Sequence, residues 1–219
     1  MGKAQNFRRK SKTSQPTRLL LIRHAEIERR YQHAFGGRID MNLSARGHTQ
    51  AKMLADFLHG KDISAIYASP MKRVQQTLTP FLKNSAPAQI ILPGLREVDF
   101  GDWSGSNWRE VREKFGVHPY DWLDEIERSA VPNGENGVQF RARVETCLFK
   151  IIREHPDQMV AVFSHGGVIR MILAILLDLP LPKTNAFEIE YASVTQVVLR
   201  PELNEIELLG FTPWRDWLK

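Results

Sequence analysis

Four apolar residues at 19–22 run without interruption into Arg23 and His24. A short apolar run with no polar alternation predicts a strand buried on both faces. Residues 159–163 repeat the form and run into Ser164, His165, Gly166 and Gly167, followed by an apolar helix over 168–177. A third strand, 64–68, gives way to Ser69 and to a helix with Pro70 at its first position, ending near Lys83. Ser44 predicts the N-cap of a helix to about His59, whose apolar stripe is Ala51, Leu54, Ala55 and Leu58. Residues 89–92 predict a short strand, and Gly134 or Glu135 opens a long helix that ends near His155. Residues 187–191, 194–200 and 205–209 predict closing strands, two of them a hairpin.

Strands alternating with helices predict an α/β fold, here a three-layer α/β/α sandwich with a mostly parallel central sheet. In such sheets ligands bind in the crevice at the carboxyl ends of the strands. Arg23, His24 and His165 leave the sheet there. If strand 64–68 lies beside the other two, Arg73, expected one turn into its helix, faces the same crevice.

These residue types suit a phosphoryl group. Arginine holds a phosphate bidentately and stays charged. A neutral imidazole is a nucleophile that can carry the phosphoryl group covalently, and a second histidine with two arginines would spread the charge of its oxygens. The same cations would repel a metal ion, and no carboxylate or cysteine cluster accompanies the histidines, so no metal is expected. The leaving group needs a carboxylic acid as proton donor. Residues 95–105 offer Glu97, Asp99 and Asp102, and spacing alone leaves the three open.

At 219 residues and 42% hydrophobic content, the chain predicts one globular domain over 18–219. Residues 104–131 form a helical insertion near several aromatics, Trp103, Trp108, Phe115, Tyr120 and Trp122, which either pack a small subdomain or form a lid. The net charge of +5 is matched by the basic residues Lys3, Arg8, Arg9, Lys10, Lys12 and Arg18, so the body is near neutral. Residues 1–17 predict a disordered basic tail, without the aromatics of a nucleic-acid binder or the apolar core of a signal peptide. Neither nucleic acid nor a membrane is expected as partner. Cys147 is the only cysteine, expected buried and inert, so no intrachain disulfide forms, which suits a reducing cytoplasm. The aromatic end, 212–219, packs on the body or on a partner chain, and a homodimer stays open.

The run Arg23-His24-Ala25-Glu26 resembles the signature of the histidine phosphatase superfamily, the phosphoglycerate mutase-like proteins, with Ala25 in place of the usual glycine. Further blocks follow in order: Gly37-Arg38-Ile39-Asp40 with Asn42-Leu43-Ser44 and Gly47, then Ser69-Pro70-Met71-Lys72-Arg73, residues 95–105, Gly134-Glu135, and Ser164-His165-Gly166-Gly167. The resemblance implies a phosphoglycerate mutase-like fold and a phosphohistidine on His24. It also implies that Arg23, Arg73 and His165 bind the phosphoryl group and that Glu97 is the proton donor, without metal or cofactor. Arg30, Asn42, Ser44 and Gly166 join Arg23 and Arg73 as expected substrate contacts. Arg30 stands where the family often has asparagine. Only about 38 residues separate Glu97 from Glu135. That is the short form, which resembles the broad-specificity and α-ribazole phosphatases rather than the mutases with their longer insertion. Hydrolysis of a small phosphomonoester is therefore expected, with a phosphoglycerate mutase-type transferase or a non-catalytic phosphate-binding module as alternatives.

Overall fold

β1 (Arg18–Arg23) and β4 (Met159–Ser164) lie parallel and in register, Leu19 beside Val160 and Arg23 beside Ser164. β2 (Ile63–Ala68) flanks β4 in parallel and pairs in turn with β3 (Gln89–Ile91), while β5 (Val194–Val198) pairs antiparallel with β1 and with β6 (Glu205–Phe211). The resulting order is β3-β2-β4-β1-β5-β6. These relations come from a computed structural model that describes residues 16–83, 86–118 and 121–217.

Alternation along β1 explains its uninterrupted apolar run. Leu19 and Leu21 join one core, and Leu20 and Ile22 join the other. The first core is closed by α5 (Gly137–Glu154) and α6 (Gly166–Leu176), the second by α1 (Ala45–His59) and α2 (Lys72–Leu82). A strand covered on both faces cannot alternate with polar residues. Two short helices, α3 (Trp108–Phe115) and α4 (Trp122–Glu127), make up the insertion, and α7 (Pro213–Asp216) ends the described chain. Among the described residues no helix is long and apolar enough to cross a membrane.

Several elements depart from the sequence expectation. α2 starts at Lys72 with Met71 as its cap, so Pro70 lies outside it and Arg73 is its second residue, not one turn in. α5 starts at Gly137, capped by the Asn136 side chain on the Val138 N–H, while Gly134 lies in a preceding turn closed by its N–H onto Val131 O. Residues 187–191 form no strand. Their carbonyls are taken by arginines instead, Phe187 O by Arg170 and Ile189 O by Arg23. Residues 1–15 of the expected tail lie outside the described residues. Thr17 belongs to the body, buried, with its hydroxyl donating to His155 O and accepting from the Asp157 N–H. The aromatic end packs on the body as far as it is described. The Trp214 indole donates to Tyr191 O at 2.8 Å and stacks on Arg46, and Trp217 meets Phe57 on α1.

The first turn of α1 is wedged against the strand that carries the site. The Ser44 hydroxyl accepts from the Gly47 N–H at 2.9 Å, and a Cβ on Gly47 would lie 2.0 Å from Glu26 O. Backbone meets backbone there, so neither side can yield by changing rotamer. Gly47→Ala is therefore expected to cost about 3 kcal/mol of stability. Urea unfolding checks this, and a loss under about 0.5 kcal/mol, the range of an ordinary surface substitution, would contradict the contact.

Candidate active site

The registers of β2, β4 and β1 bring three chain crossings to one edge. The His24 N–H donates to Ser164 O and the Ser69 N–H to Phe163 O, so His24, Ser69 and His165 sit side by side. The two imidazole centroids are 5.3 Å apart at 61°. His24 Nδ1 is 2.9 Å from Ala25 O. A carbonyl only accepts, so Nδ1 carries the proton and Nε2 keeps its lone pair. Arg73 Nε stands 3.2 Å from that Nε2 and 3.2 Å from His165 Nδ1, bridging both rings. His165 Nδ1 is thus an acceptor, and its Nε2–H donates to Ser69 Oγ at 2.9 Å. Burial, and after it the charge of Arg73, holds both imidazoles well below the ordinary histidine pKa. Both rings are neutral at physiological pH.

Arg73 is itself held from the opposite wall. Its Nη1 donates to Ile39 O at 2.8 Å and its Nη2 to Gly37 O at 2.9 Å. Gly37 has φ +42°, a left-handed conformation that favours glycine. Burial lowers the Arg73 pKa to about 10, still far above neutrality, so the guanidinium remains charged. Arg23 donates to Ile189 O at 2.6 Å, and its guanidinium carbon lies 4.1 Å from the centre of the Tyr191 ring.

Of the three carboxylates left open by spacing, only Glu97 lines the cleft. Its Oε2 accepts from the Gly167 N–H at the start of α6, and its Oε1 from the Val98 N–H. Asp99 accepts from the Gly101 N–H in its own loop, and Asp102 accepts from the Asn133 side chain of the loop before α5. The Glu97 segment is fixed from behind by Arg143, which donates to the carbonyls of Gly94, Arg96 and Glu97 and to the Glu135 carboxylate. Burial would raise the Glu135 carboxyl, but the bond and charge of Arg143 outweigh it and hold that carboxyl below its usual value.

The cleft has a volume of about 250 Å³. Arg23, His24, Arg73, Glu97, Gly166 and Arg170 form its polar end, and Phe35, Met41, Phe100, Trp108 and Trp122 form an apolar wall. Trp103 is buried against Phe35, while Trp108 and Trp122 face the cleft.

Four expected contacts fall elsewhere. Arg30 is largely exposed, paired with Glu28 and stacked on Tyr31, because a charged side chain at that turn finds water and a local carboxylate first. Asn42 is engaged by Gln76, and Ser44 caps α1 and donates to Glu26 at 2.7 Å, so neither lines the cleft. His165 is fully buried and does not line the cleft itself; it stands behind it, against Arg73 and the His24 ring. Sequence reasoning missed Arg143, Tyr191 and Arg170. For Arg170 a signal existed: it is the one charged residue in an apolar helix, one turn after Gly166 and so on the same face. Among the described residues no three His, Cys, Asp or Glu side chains gather into a metal-binding group.

Lone-pair nitrogen, flanking guanidinium groups and a carboxyl across the cleft form an arrangement able to accept and release a phosphoryl group. Comparison with known proteins agrees. A family model for the histidine phosphatase superfamily (branch 1) matches residues 19–212. Phosphoserine phosphatase 1 of Hydrogenobacter thermophilus is 32% identical over 195 residues, covering 89% of this chain and 92% of that protein. The adenosylcobalamin/alpha-ribazole phosphatase of Escherichia coli K12 is 28% identical over 194 residues, covering 88% and 95%. The crystal structure of a putative alpha-ribazole-5'-P phosphatase from Escherichia coli K-12 superposes with a TM-score of 0.78 at 26% identity, covering 90% and 97%.

Proposed function

Since the chain belongs to the histidine phosphatase superfamily, we propose that it hydrolyses small phosphomonoesters through a phosphohistidine on His24. The observation that carries this is the His24 ring: buried, neutral, its Nδ1–H fixed on Ala25 O and its Nε2 lone pair beside a guanidinium. Nε2 attacks phosphorus, and the bond to the leaving oxygen breaks as Glu97, in its acid form, gives that oxygen a proton. Arg23 and Arg73 balance the negative charge on the non-bridging oxygens, and His165 orients Arg73. Glu97, now a carboxylate, takes a proton from water. The hydroxide attacks phosphorus, the N–P bond breaks, and phosphate leaves with His24 restored.

No divalent ion is needed in this scheme, because guanidinium groups stand where a metal would otherwise bind the oxygens. Turnover of p-nitrophenyl phosphate in excess EDTA is the test. Undiminished phosphate release supports the reading. Loss of release on chelation, restored by a divalent ion, would overturn the metal-independent scheme, and phosphoryl transfer between acceptors with no free phosphate would replace hydrolysis by a mutase. The buried cysteine without a disulfide supports a reducing compartment, and we place the protein in the cytoplasm.

A further inference from the structure

Arg23 and Arg73 share the phosphoryl oxygens in the scheme above, yet their guanidinium groups are held in different ways. Arg73 is fixed by hydrogen bonds at each nitrogen: Nε to both imidazoles, Nη1 to Ile39 O and Nη2 to Gly37 O. Arg23 has one, from Nη1 to Ile189 O at 2.6 Å, and its Nε is buried with no partner among the described residues. One hydrogen bond fixes a point and leaves the plane of the group free to turn about it. A fork that grips two phosphoryl oxygens needs its plane fixed as well.

Tyr191 supplies that constraint. The Arg23 guanidinium carbon stands over the phenol ring, 4.1 Å from its centre, well within the reach of a cation–π contact. The same ring lies 5.6 Å from the His24 imidazole, centre to centre, so one side chain flanks both the fork and the nucleophile. Tyr191 is itself held through the backbone. The Ala192 N–H donates to His24 O and the Arg23 N–H to Ser193 O, which laces residues 192–193 to 23–24. Ala192 adopts φ +53°, a left-handed conformation that a residue with a side chain keeps only where its surroundings impose it. On the other side Tyr191 O accepts from the Trp214 indole at 2.8 Å.

We propose that Tyr191 is a positioning residue for phosphoryl transfer: its ring face sets the plane of the Arg23 guanidinium, so that the fork meets the phosphoryl oxygens while His24 faces phosphorus. This rests on the phosphatase reading above and adds a residue to it.

The test changes the ring and leaves the charge of Arg23 in place. Inorganic phosphate, the product, is titrated calorimetrically into the wild-type protein and into variants at 191. Tyr191→Phe keeps the ring and is expected to bind phosphate within about twofold of wild type. Tyr191→Leu keeps bulk without a π face. It is expected to bind about tenfold more weakly and to lose as much in kcat/KM for p-nitrophenyl phosphate, the scale of a partly desolvated cation–π contact. In an Arg23→Gln background the same leucine substitution is expected to cost nothing further, because the group it acts on is gone. Phenylalanine bearing one, two and three ring fluorines at 191 keeps the shape and drains the ring face of negative charge. Phosphate affinity is expected to fall stepwise along that series, which stands on its own if the leucine variant does not fold. A flat fluorine series, a phenylalanine variant as weak as the leucine one, or an undiminished leucine effect in Arg23→Gln would overturn this inference alone. Absence of ester hydrolysis by the wild-type protein would overturn the phosphatase reading, and the phosphate titrations would still decide this one.

Discussion

Replacing His24 by alanine is expected to lower turnover of every phosphomonoester by about 10,000-fold or more, the scale on which nucleophile deletions act in enzymes of this kind. The expectation follows from the tautomer. With Nδ1–H committed to Ala25 O, His24 Nε2 is the lone pair closest to Arg73 that faces the cleft. The second ring cannot take over, because His165 is fully buried behind Arg73, does not line the cleft, and has its Nε2–H bound to Ser69. The variant should also fail to retain an acid-labile, base-stable phosphoryl label after rapid quenching. Turnover within about tenfold of wild type, or a label that persists, would remove His24 from the reaction.

Glu97→Gln should produce a loss that depends on the leaving group. The amide keeps the shape of the side chain and can still accept from the Gly167 N–H, so the cleft should stay in place. What it lacks is the proton. Alkyl esters, whose alkoxides leave poorly, should slow by about a thousandfold in the first half-reaction. p-Nitrophenolate leaves without help, so its release should survive as a burst, followed by accumulation of phosphohistidine because no carboxylate takes the proton of water. Pre-steady-state release of p-nitrophenolate reads both halves. Equal losses on both classes with no burst would assign the proton to another group.

What the sequence could announce was local. A strand buried on both faces must be apolar throughout, and residues 19–22 and 159–163 therefore stood out, together with the polar residues at their ends. Their adjacency is a long-range fact, and only the shared chemistry of their histidines hinted at it. Proline is common at a first helical position, which points to Pro70 as the start of α2, yet here Pro70 belongs to the turn before the helix. Residues 187–191 have an apolar pattern that suits a strand, but their carbonyls are claimed by Arg23 and Arg170, distant and close in sequence respectively. Arg30, Asn42 and Ser44 were drawn toward the cleft by neighbourhood along the chain. In the fold each has a nearer partner, in Glu28, Gln76 and Glu26. Arg143, by contrast, had no local mark at all. Its four acceptors come from two separate loops.

The position of β1 has a temporal consequence. It is the first of the described strands along the chain, yet its two neighbours are the fourth and fifth, β4 and β5, the nearer about 140 residues downstream. The strand that leads into His24 therefore stays unpaired on the β4 side until residues 159–164 reach it. Closure of so distant a pairing is slow relative to helix formation. The cleft around His24 is therefore assembled only once that distant pairing has closed.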